Sequence, residues 1–219
     1  MIQYYCNIRY ESGEMMDLKE CKLFKDTTID INKILVKEFP SNYIIEIEGD
    51  SSTYLGIVLE GQVNITSYSL AGKVFTINRI QPGSIYGDIL VYGSITNSYP
   101  GNLVTSGKTK IAMIPNNQLK KLLINEPNFL RNFLESLSDK VYQVNSTNKM
   151  LSQESLRDKI LFFLHQQKRI QNTDKIELKM TKEDLANLLY IPRPSLSREL
   201  AKMKRDGIID YDRYTITIK

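Results

Sequence analysis

The sequence predicts an α+β protein in three parts: an N-terminal antiparallel β-roll, a long central helix, and a C-terminal winged helix-turn-helix. Three observations predict it. Between residues 39 and 115, β-branched-rich runs such as IIEIEGD, YLGIVLEGQVNITSYSL, KVFTINRI and LVTSGKTKIAMIP are separated by Gly, Pro, Asn and Ser, the texture of antiparallel strands at turn spacing. After Pro115, apolar residues return to helical spacing and then settle into a heptad-like repeat. From residue 181, a helix, a short turn, a basic helix and two alternating runs follow one another.

Each element has its own signal. Residues 15–38 show helical spacing of apolar residues around a turn-like KDTT. In the roll, Gly49, Gly61, Gly72 and Gly83 each complete a turn pair where the chain can reverse. A short helix is expected over residues 117–125, with an interruption near Pro127. Leu130, Leu134, Leu137, Val141, Val144, Asn148 and Leu151 then recur at spacings of four and three, a seam of three heptads. Two copies are expected to pair along it, with Asn148 fixing the register. Domain boundaries follow: residues 1–151 hold the roll and the dimerisation helix (about 127–151), SQES is the hinge, and residues 152–219 form the second domain. There, Ser155 caps a helix over LRDKILFFLHQQKRI, KIELKM is a short strand, and Thr181 with Asp184 three residues on approaches a capping box. Tyr190-Ile191-Pro192 makes the turn, Gly207 stops the second helix, and IIDYDRYTITIK closes as a small hairpin.

Composition narrows the function. With 42% apolar and 25% charged residues in a chain of 219, a soluble globular protein of one large or two ordinary domains is expected. There is no run of about 18 apolar residues and no basic-then-apolar start, so a cytoplasmic protein without membrane association is the expectation. Cys6 and Cys21 suit a reducing compartment and are too few for a structural zinc site or an iron–sulfur cluster. His165 is expected on a helix face. No nucleophile triad, paired-carboxylate signature, P-loop or dinucleotide fingerprint appears, so the chain is read as no enzyme, without metal or required cofactor.

The charge is unevenly placed. Residues 1–150 hold 15 Lys/Arg against 15 Asp/Glu, whereas residues 151–219 hold 14 against 10, which is the whole net charge of +4. Residues 193–205 carry five basic residues (Arg193, Arg198, Lys202, Lys204, Arg205) and one acid, Glu199. Such a helix suits the phosphate backbone of double-stranded DNA. Leu185, Ala186, Leu189, Leu196, Leu200 and Met203 can form a core, leaving Arg193, Ser195, Ser197, Arg198 and Lys202 to face outward. Arg198 is assigned to a base edge, Ser195 and Ser197 to bases or phosphate, and Arg193 and Lys202 to phosphate, with Thr181 at the start of the first helix added to the DNA-facing set. Pro194 falls in the helix's first turn, where a missing N–H costs little.

TKEDLANLLYIPRPSLSRELAKMKRDGII closely resembles the DNA-binding segment of the Crp/Fnr family of bacterial transcription regulators. CKLFKDTTID is similar to that family's opening helical motif, and DSSTYLGIVLEGQVNI and IQPGSIYGDIL to strands of its cyclic-nucleotide-binding β-roll. The resemblance implies a homodimer that places two recognition helices in successive major grooves of a palindrome and acts on promoters through RNA polymerase.

Two departures qualify it. Many relatives have glutamate where this chain has Pro194, so its site preference should differ. Members that bind cyclic AMP have Gly-Glu followed by Arg-Ser or Arg-Thr for the cyclic phosphate. Here Gly87-Asp88 keeps a carboxylate, but NSYPGNLVT has no arginine, and an anion without a cation is poorly compensated. Cyclic AMP is therefore not expected as a ligand, and Asp88 is expected to cap a turn or meet a backbone N–H. Gly87, Asp88 and Asn145 remain the candidate lining of an effector pocket. The alternative reading is a cyclic-nucleotide-sensing module acting through a protein partner.

Overall fold

The computed structural model describes residues 16–93, 98–178 and 180–219. Two compact units emerge, one reaching Lys140 and the other comprising Val141–Lys219.

The first unit is the roll. Six strands, β1 (Leu35–Phe39), β2 (Ile44–Glu46), β3 (Tyr54–Tyr68), β4 (Val74–Ile80), β5 (Ile85–Tyr86) and β6 (Asn102–Pro115), form one antiparallel sheet. The order β1-β6-β3-β4 puts the two longest strands at its centre, with β2 on β6 and β5 on β3. β3 alternates little: Tyr54 to Leu59 are all buried, because the curled sheet covers both of its faces. Gly56 is required where the Tyr86 ring lies on it, since a Cβ there would come within 2.1 Å of that ring.

The helical expectation for residues 15–38 is corrected. Among the described residues three single-turn 3₁₀ helices form here, at Leu18–Glu20, Lys22–Phe24 and Ile31–Lys33, and Leu35–Phe39 is a strand paired with Thr109–Met113. Pairing on one side with β6 gives this edge strand a ladder of five residue pairs, Leu35 with Met113 through Phe39 with Thr109, and its β-branched and aromatic residues suit such a pleated, half-covered surface. The turns sink Leu18, Leu23 and Phe24 one at a time into the core. There they meet Leu119 and Leu123 of α1 (Asn116–Asn125), and Phe129 and Phe133 of α2 (Pro127–Leu151). The Phe24 and Phe129 ring centroids are 5.7 Å apart. Buried Asn132 donates to the Leu23 and Lys25 carbonyls at 3.2 and 2.7 Å, satisfying groups that the broken helix leaves open.

The second unit contains the end of α2, then α3 (Leu156–Gln171), β7 (Lys175–Glu177), α4 (Lys182–Leu188), α5 (Arg193–Arg205), β8 (Ile209–Tyr211) and β9 (Thr215–Ile218). The three strands form a sheet in the order β7-β9-β8. Ser155 caps α3 by accepting from the Asp158 N–H, as its position before the apolar run predicts. Leu185, Ala186, Leu189, Leu196, Leu200 and Met203 are all fully or almost fully buried, alongside Ile160, Phe163, Leu164, Ile176, Ile209 and Ile216. Each large aliphatic among them contributes about 1.5–3 kcal/mol.

Candidate nucleic-acid interface

α4 begins with a complete capping box. The Asp184 N–H donates to Thr181 Oγ1 at 3.1 Å and the Thr181 N–H donates to Asp184 Oδ2 at 3.0 Å. Thr181 Oγ1 also gives its one proton to Asp184, at 2.7 Å, so within the chain this hydroxyl serves the cap.

The turn that follows is tight. Tyr190 takes φ +57°, and the Ile191 N–H reaches back to the Ala186 carbonyl at 3.0 Å. Pro192 is the N-cap of α5 and Pro194 lies within its first turn; the Ser195 and Leu196 N–H groups both donate to the Pro192 carbonyl, at 2.9 and 3.1 Å. Gly207, at φ +74°, ends the helix, and the Ile208 N–H closes onto the Met203 carbonyl.

With Leu196, Leu200 and Met203 turned inward, Arg193, Arg198 and Lys202 are exposed, and Ser195 and Ser197 are half-buried. Arg198 curls over the start of its own helix. Its Nε donates to the Pro194 carbonyl at 3.3 Å and its terminal nitrogen to Ser195 Oγ at 3.4 Å, both long and solvent-exposed bonds. Among the described residues it has no carboxylate partner. Arg193 faces Glu183 at 3.6 Å, an exposed pair of the kind that contributes about 0–1 kcal/mol and yields readily to a phosphate.

One residue escaped the sequence reading. Arg157 of α3 donates to Glu199 at 2.8 Å and to Asp206 at 2.7 Å, which raises its own pKa. These are the two acids nearest the recognition helix's basic residues in sequence, and Arg157 engages both. Nothing in the spacing of residue 157 relative to 199 and 206 signals this.

The wing is held at its turn. Asp212 accepts from the Tyr214 and Thr215 N–H groups, each at 2.7 Å, and from Thr215 Oγ1 at 2.9 Å; the two backbone bonds, then the hydroxyl, hold its carboxyl below the ordinary 3.8. Arg213 and Tyr214 sit exposed beyond it, the guanidinium 5.3 Å from the ring centre. Lys182 lies over the Tyr211 ring at 4.6 Å.

Along α2 the predicted seam is open. Leu134, Val141 and Val144 are 52%, 60% and 51% exposed, and Leu130, Asn148 and Leu151 are exposed as well. Leu137 is half-buried against the roll's core, next to the buried face of Phe129 and Phe133. The helix thus carries two apolar faces, one packed on its own roll and one open.

The candidate effector residues are placed differently from expectation. Gly87 takes φ +79° and starts a 3₁₀ turn, Asp88–Leu90. Asp88 is 4% exposed and caps nothing: both of its oxygens accept from Lys140 of α2, at 2.8 and 2.7 Å. Lys140 also donates to the Ile85 carbonyl at 3.0 Å. The charge relation wins because a buried carboxylate is far costlier to leave unpaired than an exposed turn N–H. Tyr99, in the stretch without an arginine, is buried with its hydroxyl 3.3 Å from Ser52 Oγ, and burial pushes that phenol up to about 12. Asn145 is exposed on α2, and the nearby Ser146 accepts from Gln166 of α3. Cys21 is buried and His165 exposed, while Cys6 lies outside the described residues. Among the described residues no group of His, Cys, Asp or Glu could hold a metal ion, and no helix is long and apolar enough to cross a membrane.

Comparison with known proteins agrees with both halves. The cyclic nucleotide-binding domain family matches residues 36–126, and the Crp-like helix-turn-helix domain family matches residues 159–219. The chain is 19% identical over 188 residues to the global nitrogen regulator of Synechococcus elongatus, covering 84% of this chain and 85% of the relative. Its fold is similar to a CooA mutant from Carboxydothermus hydrogenoformans (TM-score 0.64, 17% identity, 95% of this chain and 94% of the other). It is also similar to the catabolite activator protein of Thermus thermophilus (TM-score 0.52, 18% identity, 90% and 93%). Regulators with this helix-turn-helix bind DNA and act as dimers rather than as enzymes. A cyclic-nucleotide-binding-type roll followed by a Crp-like helix-turn-helix makes this chain a member of the Crp/Fnr family of DNA-binding transcription regulators.

Proposed function

We propose that two copies pair along Leu130, Leu134, Leu137, Val141, Val144, Asn148 and Leu151 of α2, and that the dimer sets two α5 helices into successive major grooves of a palindromic promoter site. In this reading Arg198 reads a base edge, Ser195 holds Arg198 and shares the groove floor with Ser197, and Arg193 and Lys202 take phosphates. The observation that carries it is the outward basic face of α5, from which Glu199 and Asp206 are drawn off by Arg157. The dimer works in the cytoplasm, without membrane association, and alters transcription by contact with RNA polymerase. It catalyses no reaction and requires no cofactor. Cyclic AMP is not its ligand, because Asp88 is engaged by Lys140 and Tyr99 stands uncharged in the stretch where binding relatives carry arginine.

Selection of duplexes from a random pool tests this reading. The parent should enrich an inverted repeat, with half-sites spaced by about one helical turn. Enrichment of no sequence, or of an unrepeated site by a monomer, would count against it.

A further inference from the structure

Lys140 reaches from α2 into the roll and spends its ammonium completely. Three acceptors surround it: Asp88 Oδ1 at 2.8 Å, Asp88 Oδ2 at 2.7 Å and the Ile85 carbonyl at 3.0 Å. The Asp88 side chain is 2% exposed and that of Lys140 32%, so the lysine enters from the solvent side and covers the carboxylate. The turn that presents Asp88 is itself fixed. Gly87 lies so close to the Tyr54 carbonyl that a Cβ would stand 2.8 Å from it. Beside it, the Tyr99 hydroxyl is already engaged with Ser52. The Asp88 carboxylate and the Tyr99 hydroxyl are thus both engaged by the chain's own atoms.

We propose that Lys140 is a built-in effector: its tethered ammonium holds the Gly87–Leu90 turn to the central helix, so that DNA affinity is set with no small molecule bound. The proposal rests on the reading of the chain as a DNA-binding regulator. A small-molecule effector changes a protein's state only through a difference in interaction between two states. In this proposal the ion pair is made in the DNA-binding state and broken in the other, and because the ammonium is tethered its occupancy does not depend on any concentration.

The test uses the full chain. Native mass spectrometry of the purified dimer that binds its selected duplex should give the mass of two bare chains, and cyclic AMP should leave the affinity unchanged. Asp88→Asn combined with Lys140→Met removes both charges and leaves neither buried alone. This double variant should remain folded by circular dichroism and dimeric by light scattering. It should bind the selected duplex at least about tenfold more weakly, within the usual range of coupling between sites. Lys140→Arg alone, which keeps the charge, should stay near the parent. Parent-like affinity of a folded double variant would overturn the proposal, and so would an additional small-molecule mass on each chain of the DNA-binding dimer. If the double variant does not fold, the mass measurement and the cyclic AMP titration decide. A parent that selects no duplex at all would instead remove the DNA-binding reading beneath the proposal.

Discussion

Arg157 Nε lies 2.8 Å from Glu199 Oε1, joining α3 to the one acid of the recognition helix. The same guanidinium holds Asp206 at the end of that helix. One residue thereby braces two helices and keeps negative charge from the outward basic face.

Arg157→Gln should lower both thermal stability and DNA affinity. Glu199, whose side chain is only 19% exposed, would lose its cation, and its charge would act against phosphate. Arg157→Lys should fall between the two, because a single ammonium does not reproduce a forked pair of contacts. A thermal melt and an anisotropy titration read both effects. Parent-like values for the glutamine variant would show the brace to be incidental.

Arg198→Ala should relax sequence preference at one base pair in each half-site at a cost of about 1–3 kcal/mol. Lys202→Ala should weaken binding to all sequences alike and reduce the salt slope by about one. Comparing selected-site profiles and titrations at several salt concentrations separates base reading from phosphate contact. A profile unchanged by Arg198→Ala would mean that the helix uses another reader.

Leu134 and Val144 are about half exposed on the open face of α2, and neither is among the buried core residues. Replacing both by Lys should therefore leave the fold unchanged while halving the mass seen by light scattering. DNA affinity should fall with it, because two half-sites would no longer be bound together. A dimeric double variant would rule out the seam.

The wing turn should respond to acid. The folded pKa of Asp212 is depressed, so its contribution to stability is fully present above the ordinary 3.8 and is lost as pH falls through the lower folded value. Amide resonances of Tyr214 and Thr215 should shift over that acid range, at pH values below those at which a free carboxylate titrates. Asp212→Asn should abolish the shift. A transition at or above the ordinary carboxylate value would mean that the three hydrogen bonds do not favour the charged form.

The C-terminal half was legible almost residue by residue because its signals are local. The capping pair Thr181 and Asp184, the prolines 192 and 194, Gly207 and the helical spacing of Leu196, Leu200 and Met203 all act within a few residues of themselves. The long helix α2 was legible for the same reason, since a repeat of four and three residues is a property of one helix.

Other features were decided only in three dimensions. Residues 15–38 have helical spacing, but β6 offered Leu35–Phe39 a ladder of partners that no neighbour in sequence could match. Asp88 was expected to cap a turn or meet a backbone N–H, yet it is buried, and a buried carboxylate takes whatever cation the fold brings, here Lys140 from 52 residues away. Arg157 meets Glu199 across 42 residues. By itself the sequence determined the helices after Pro115 with their caps and turns, and the basic face of α5, whose energetics are short-range. Tertiary structure decided which charges are spent on one another, because ion pairs depend on distance in space and on burial, and neither is written in spacing along the chain.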